Sequence, residues 1–278
     1  MKNIVTMKWL LARMYEANIV IVDCRFIMGQ PDAGRQQYEA DHIPGAVYLD
    51  MERDLSGEVA EHGGRHPLPD MVDLTVALSK VGISNESQVI IYDDQGGAMA
   101  SRLWWLLKYA GHEQVSVMDQ GYSAWKAAGF PISAEQQVLI PAKYLATVEH
   151  PMLVEMDEVK ELLAEESVTI IDSREAPRYR GEVEPLDKKA GHIPGAVNYF
   201  WKDGFSADGK WNNGDEQAER FSKIDKNQEV IVYCGSGVTA TPNIIALTEA
   251  GYNKVRLYAG SWSDWISYEE NPVAVGEE

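Results

Sequence analysis

The chain has 278 residues, of which 45% are hydrophobic, and its 25 basic against 43 acidic side chains give a formal net charge of -18. This length favours two ordinary domains, and the negative charge argues against binding to nucleic acid or to an anionic membrane. No stretch approaches the roughly 18 apolar residues of a membrane-spanning helix, and residues 1–30 lack a secretory-signal pattern, so a cytoplasmic protein is expected.

The chain contains the same pattern twice. Residues 42–47 (His-Ile-Pro-Gly-Ala-Val) recur at residues 192–197, an offset of 150. Two further pairs of apolar runs match in the same order: 19–22 with 168–171, and 89–92 with 230–233. Because the order is preserved, a duplicated domain is expected. Prolines mark the join, which predicts a first domain over residues 1–135, a linker over 136–151 and a second domain over 152–278.

Short β-branched runs alternate with helical patterns in each half. In the second half the pattern predicts, in chain order, a helix that is capped by Asp157 and extends to about Ala164, a strand over 168–171, a helix near 215–223, a strand over 230–233, a helix over 241–250 and a strand over 255–258. This alternation is typical of βα units. The predicted fold is α/β, with two tandem domains that each have a mostly parallel sheet flanked by helices.

A cysteine stands at the end of one predicted buried strand. Cys234 follows the strand over 230–233 and begins a loop that contains two glycines. Backbone N–H groups of such a loop converge on an anion, and the same field stabilises a thiolate. We therefore expect Cys234 to be a nucleophile. The loop residues predicted to contact the substrate are Gly235, Gly237, Val238 and Thr239.

The other cysteine, Cys24, has Ser173 as its counterpart in the second copy and is expected to be a spectator. Two cysteines in a chain of this size are poor evidence for a disulfide framework. His42 and His192 occur in both copies of the repeated turn, whereas the loop cysteine occurs in one. A structural role is therefore expected for these two histidines.

The run at residues 234–240 (Cys-Gly-Ser-Gly-Val-Thr-Ala) resembles the active-site loop of tandem rhodanese-family sulfurtransferases. The resemblance covers nearly the whole chain, including both His-Ile-Pro-Gly-Ala turns. It implies a catalytic second domain and a non-catalytic first domain, where Asp93 stands in place of the cysteine. Uncharged Gly235 and Ser236 resemble the mercaptopyruvate type, whereas the thiosulfate type has two basic residues there. The implied reaction moves a sulfane sulfur from 3-mercaptopyruvate, through a Cys234 persulfide, to a thiol, cyanide or protein cysteine.

The resemblance also implies a site for the donor's carboxylate. Arg178 matches the family's substrate-binding arginine, and a guanidinium pairs bidentately with a carboxylate. The mercaptopyruvate type has a second arginine after Glu-Pro, but this chain has Leu186 there. Lys188 and Lys189 are candidate replacements, although a lysine cannot reproduce the fork.

A proton relay is the third implication. Ser236, His66 and Glu52 match a serine, a histidine and a carboxylate that the family brings together across its domain interface. In this relay Ser236 exchanges a proton with the donor, His66 acts as the base, and Glu52 orients the imidazole.

Three alternatives use the same cysteine. A cysteine phosphatase needs an arginine where this chain has Ala240, which argues strongly against that class. Thiosulfate:cyanide sulfur transfer and a persulfide carrier without turnover remain open. No metal or organic cofactor is implied, because the sequence shows neither a Cys/His cluster nor a nucleotide-binding loop.

Overall fold

A computed structural model of the chain describes residues 2–163, 165 and 167–277. The contacts within it separate two compact units. The first unit contains the chain up to Gly57, Leu68–Glu149 and Ala207–Trp211. The second contains Glu58–Pro67, His150–Ser206 and the chain from Asn212 onward. A segment from the first half of the sequence, Glu58–Pro67, thus belongs to the second unit.

The first unit is built around a parallel sheet. Its strands are β1 (Ile4–Val5), β2 (Ile19–Asp23), β3 (Val47–Tyr48), β4 (Gln88–Tyr92) and β5 (Val115–Met118). Its helices are α1 (Met7–Leu11), α2 (Ala33–Ala40), α3 (Met71–Lys80), α4 (Ala98–Tyr109) and α5 (Tyr122–Ala127). Within the described residues, the five strands pair in the order β1-β5-β4-β2-β3. The apolar runs predicted from the sequence form the central strands β2 and β4, which are buried on both faces.

The second unit repeats this arrangement. Its strands are β6 (Leu153–Val154), β7 (Val168–Asp172), β8 (Val197–Asn198), β9 (Glu229–Tyr233) and β10 (Val255–Tyr258). Its helices are α6 (Met156–Leu162), α7 (Ala176–Tyr179), α8 (Gly214–Arg220), α9 (Thr241–Glu249) and α10 (Ser261–Trp265), with 3₁₀ turns at His150–Met152 and Trp201–Gly204. In the described part of the chain the parallel strands are ordered β6-β10-β9-β7-β8. This matches the order in the first sheet, so the predicted duplicated α/β fold is confirmed.

Two helix boundaries differ from the prediction. Helix α6 begins after Glu155, so Asp157 lies in its first turn and is not the cap. An acidic residue is favourable in either place because it faces the positive end of the helix dipole. The predicted end at Ala164 lies outside the described residues. Helix α8 is capped by Asn213 and ends at Arg220, three residues earlier than predicted.

The repeated turns serve the same structural purpose in both units. His42 Nδ1 lies 2.6 Å from the carbonyl oxygen of Tyr38, and His192 Nδ1 lies 2.8 Å from that of Tyr179. Each imidazole also stacks on that tyrosine ring. Both histidines are completely buried, in agreement with the expected structural role. None of the helices in the described residues is long and apolar enough to span a membrane.

Candidate active site

The loop at residues 234–240 joins β9 to α9 at the carboxyl edge of the second sheet. Cys234 begins this loop and has only 2% of its surface exposed. Gly237 has a φ of +75°, and a Cβ on it would lie 2.2 Å from the backbone oxygen of Ala259. Only glycine fits here without displacing the neighbouring chain. The second glycine of the loop is therefore fixed by the fold.

Helix α10 holds the start of the loop. The N–H of Cys234 donates to Ser261 Oγ at 3.1 Å, while the carbonyl oxygens of Cys234 and Gly235 accept the N–H groups of Trp262 and Ser263, both at 3.0 Å. Ser261 has a φ of +57°, a conformation uncommon for a residue with a side chain. Its hydroxyl also donates to the last carbonyl of β10, at 2.9 Å. These bonds maintain the strained backbone and fix the position of Cys234.

The equivalent loop of the first unit has a carboxylate in the place of the thiol. Asp93 directly follows β4, as Cys234 follows β9, and is 1% exposed. Its two carboxylate oxygens accept four backbone N–H groups at 2.8–2.9 Å, from Gln95, Gly97, Met99 and Ala100. In this unit the loop therefore forms an anion-binding nest around its own first side chain.

His66 and Ser236, two of the predicted site residues, lie together in the second unit. His66 Nδ1 is 2.8 Å from Ser236 Oγ. Ser236 is 7% exposed, so this contact is largely removed from solvent. The imidazole and the hydroxyl can pass a proton between them next to the loop that begins at Cys234.

His66 reaches the loop because the segment Glu58–Pro67 docks on α10. The N–H of Gly63 donates to Asp264 Oδ1 at 2.6 Å, and the N–H of Arg65 donates to Ser263 Oγ at 3.1 Å. A Cβ on Gly64, whose φ is +81°, would lie 2.4 Å from the carbonyl oxygen of Gly260. The same short helix therefore positions both the cysteine loop and the histidine segment.

Glu52, the third member of the predicted relay, belongs to the first unit and lies after β3. The residue is exposed, and its backbone N–H donates to Asp50 Oδ1 at 2.9 Å. Its role in orienting His66 stays a prediction.

Arg178 lies in α7 and is engaged by carboxylates of its own chain. Its Nε and Nη2 bind the carboxylate of Glu184 at 2.7–3.1 Å, and Nη2 also reaches Asp187 Oδ2 at 3.2 Å. Nη1 takes no part in these bonds and lies 3.7 Å from the place that a Cβ on Gly235 would occupy. Arg178 thus adjoins the loop, but the fork predicted to bind the donor's carboxylate already holds Glu184.

A second arginine at the loop, Arg65, was missed by the sequence reasoning. Its Nη2 lies 3.0 Å from the Cβ position of Gly235, and its Nη1 is paired with Asp187. Burial lowers the pKa of the Arg65 guanidinium, while the negative charge of the Cys234 sulfur opposes this shift. In the sequence, its position directly before His66 could have indicated that Arg65 lies near the site.

The other predicted residues of the loop and of the carboxylate site all belong to the second unit. The carbonyl oxygen of Val238 accepts the N–H of Thr241 at 3.1 Å, which leads the chain into α9, and Thr239 is half-buried. Leu186 is 45% exposed. Lys188 is exposed and Lys189 half-buried. Compensation by either lysine stays a prediction.

Cys24 is in a different environment from Cys234. It follows β2 in the first unit and is 1% exposed. Burial, together with the nearby carboxylates of Asp23 and Asp93, raises the pKa of its thiol. A thiol that stays protonated is a poor nucleophile, which supports its expected spectator role. Among the described residues, no group of three or more His, Cys, Asp or Glu side chains is arranged to hold a metal ion.

Comparison with known proteins identifies the family. The model of the rhodanese-like domain matches residues 6–128 and 155–268. A Pseudomonas aeruginosa protein named a probable 3-mercaptopyruvate sulfurtransferase is 41% identical over 99% of both chains. The thiosulfate sulfurtransferase of Rattus norvegicus is 30% identical, covering 95% of this chain and 92% of its own.

A solved structure agrees with these relatives. The 3-mercaptopyruvate sulfotransferase SseA from Escherichia coli superposes with a TM-score of 0.83 at 32% identity, over 95% of this chain and all of its own. The chain therefore belongs to the rhodanese family and is a sulfurtransferase with two rhodanese-like domains in tandem, which accounts for the strand-end cysteine, its two-glycine loop and the duplicated parallel sheet.

Proposed function

We propose that the protein transfers a sulfane sulfur from 3-mercaptopyruvate to a thiophilic acceptor through a persulfide on Cys234. The acceptor is a thiol, cyanide or a protein cysteine. The observation that carries the choice of donor is the 2.8 Å contact between His66 and Ser236.

The first half-reaction loads the enzyme. The Cys234 thiolate attacks the sulfur of 3-mercaptopyruvate, an S–S bond forms, and the donor's C–S bond breaks with its electron pair on carbon. The donor sulfur keeps its proton, so the enzyme becomes Cys234–S–SH and pyruvate leaves as its enolate. Ser236 supplies a proton to the enolate carbon, His66 as the imidazolium returns a proton to the hydroxyl, and the imidazole takes up another proton from solvent before the next cycle. Pyruvate is released.

The second half-reaction unloads the enzyme. The acceptor, as a thiolate or cyanide, attacks the outer sulfur of the persulfide, the S–S bond breaks, and the Cys234 thiolate is regenerated. Backbone N–H groups of the loop stabilise the anionic sulfur in both halves. The nest around Asp93 supports this step, because the equivalent loop there binds an anion with four N–H groups.

The two donors differ in whether their leaving group must be protonated on carbon. Sulfite, the leaving group from thiosulfate, departs with its electron pair and needs no proton on carbon. The enolate of pyruvate does need one. A serine hydroxyl paired with an imidazole beside the nucleophile therefore favours 3-mercaptopyruvate over thiosulfate.

Parallel kinetics with the two donors test the proposal. We expect kcat/KM for 3-mercaptopyruvate to exceed that for thiosulfate by roughly a hundredfold or more, on the scale of general acid–base assistance. A preference for thiosulfate would establish thiosulfate:cyanide sulfur transfer instead. Loading without turnover, with cyanide and a thiol both offered, would indicate a persulfide carrier. The cytoplasmic location remains a prediction from the sequence.

A further inference from the structure

Two guanidinium groups lie over Gly235, the residue after Cys234. A Cβ on Gly235 would lie 3.0 Å from Nη2 of Arg65, and 3.5 and 3.7 Å from Nη2 and Nη1 of Arg178. Both arginines belong to the second unit, although they are far apart in sequence. Glycine at position 235 thus brings the backbone beside the nucleophile directly under two cations.

Asp187 fixes these arginines relative to each other. Its Oδ1 accepts a hydrogen bond from Nη1 of Arg65, and its Oδ2 accepts one from Nη2 of Arg178 at 3.2 Å. The Asp187 side chain is 4% exposed, so salt screens these pairings little. Because Arg65 uses Nη1 for Asp187, its Nη2 is the amino group nearest to Gly235.

Arg178 alone offers an incoming carboxylate only part of its fork. Nε and Nη2 are bound to Glu184, whose side chain is 4% exposed. Nη1 remains outside those bonds, so Arg178 can make a single-point contact there. A two-point contact, which gives arginine its preference for carboxylates, needs a donor from a second group. Nη2 of Arg65 is in the right place.

The geometry points to a carboxylate-binding site over Gly235, in which Nη2 of Arg65 and Nη1 of Arg178 together hold the carboxylate of the sulfur donor. Arg65 is then a substrate-binding residue and Asp187 a positioning residue. Consecutive Cα atoms are about 3.8 Å apart, so a small molecule whose carboxylate lies over Gly235 presents its adjacent atoms to the Cys234 sulfur. This inference rests on the proposed function for the identity of the donor, but the site itself can be tested without it.

Alkylation of Cys234 provides that test. Iodoacetate and iodoacetamide both react with a thiolate by displacement of iodide, and they differ in carrying a carboxylate or a neutral amide. The ratio of their rate constants reports how strongly the site draws in a carboxylate, independently of turnover. The rate with iodoacetamide alone reports the reactivity of the thiolate. Both are measured on the full chain as the Cys24→Ser variant, so that only Cys234 is labelled.

We expect Arg65→Met to lower the iodoacetate-to-iodoacetamide ratio roughly tenfold, the scale of one charge-assisted hydrogen bond, and to change the iodoacetamide rate much less. Arg65→Lys keeps a cation beside Asp187 and is therefore the control for loss of folding. It should lower the iodoacetate-to-iodoacetamide ratio by a smaller factor. Arg180→Met is the matched control, because Arg180 pairs with Glu182 on the exposed side of the unit. Its ratio should equal that of the parent.

An unchanged ratio in both Arg65 variants would overturn the inference. Equal slowing with both reagents would also overturn it, because Arg65 would then act only on the thiolate. The KM for 3-mercaptopyruvate, measured on the same variants, should rise by a similar factor. If the parent does not turn over 3-mercaptopyruvate, the proposed function fails, while the alkylation ratio still decides whether Arg65 binds a carboxylate.

Discussion

Asp93 and Cys234 are equivalent residues of two copies of one loop, and the carboxylate of Asp93 fills the N–H nest of its own loop. In the first unit the anion-binding loop is therefore occupied by its own side chain and has a structural role. The second unit places a thiol at the same point. We therefore expect substitution of Asp93 to change the stability of the protein and substitution of Cys234 to change sulfur transfer.

Asp93→Asn is expected to destabilise the protein strongly. An asparagine amide has one carbonyl oxygen and one NH₂ group, so the NH₂ would face backbone N–H donors that now bind a carboxylate oxygen. Unsatisfied buried donors cost about 1–3 kcal/mol each, and we expect a loss of several kcal/mol. Urea unfolding followed by circular dichroism measures it. Asp73→Asn is the control, because Asp73 is exposed on helix α3; if both variants unfold at the same midpoint, the nest contributes little.

The two cysteines should differ in sulfur loading. Incubation with 3-mercaptopyruvate should add the mass of one sulfur atom to the wild type and to Cys24→Ser, and none to Cys234→Ser. Intact-mass spectrometry reads this directly. The pKa of the Cys24 thiol is raised by burial and by adjacent carboxylates, so this group stays protonated at neutral pH and becomes nucleophilic only at higher pH. Sulfur on Cys24 at neutral pH would contradict the assignment of Cys234.

Arg178→Lys should weaken the use of 3-mercaptopyruvate mainly through KM, because contact with a carboxylate is similar in the ground and transition states. Loss of charge-assisted bonds of this kind corresponds to roughly a ten- to hundredfold fall in kcat/KM. Arg180→Lys, in the neighbouring exposed pair with Glu182, should leave both constants unchanged. An unaltered KM in Arg178→Lys would remove this arginine from the donor site.

The sequence was sufficient for those parts of the site that depend on local pattern. Cys234 could be located because a buried strand, two glycines and a helix start follow one another along the chain, and the repeat fixed the fold. Arg65 could not be assigned a role, because it reaches Gly235 only after Gly63 and Gly64 dock on α10. The engagement of Arg178 by Glu184 was equally hidden, since a fork suited to a donor's carboxylate binds an internal one equally well.

His66→Ala should slow persulfide formation from 3-mercaptopyruvate by roughly a hundredfold or more, the usual scale of general acid–base assistance. Loading from thiosulfate should change much less, because sulfite leaves without protonation at carbon. Discharge of a preformed persulfide to a thiol should also change little. Rapid mixing with each donor, followed by a thiol chase, separates these steps.

The proposed relay also predicts how variants of Ser236 behave in the same measurement. Ser236→Ala should show the defect of His66→Ala, and the double variant should be little slower than either single one, because both changes interrupt one proton path. His150→Ala is the control, since His150 is exposed in the 3₁₀ turn before β6. Unfolding midpoints must match the wild type before the rates are compared. Wild-type loading from 3-mercaptopyruvate in His66→Ala, or additive losses in the double variant, would show that the 2.8 Å contact between His66 and Ser236 is structural and that the proton comes from elsewhere.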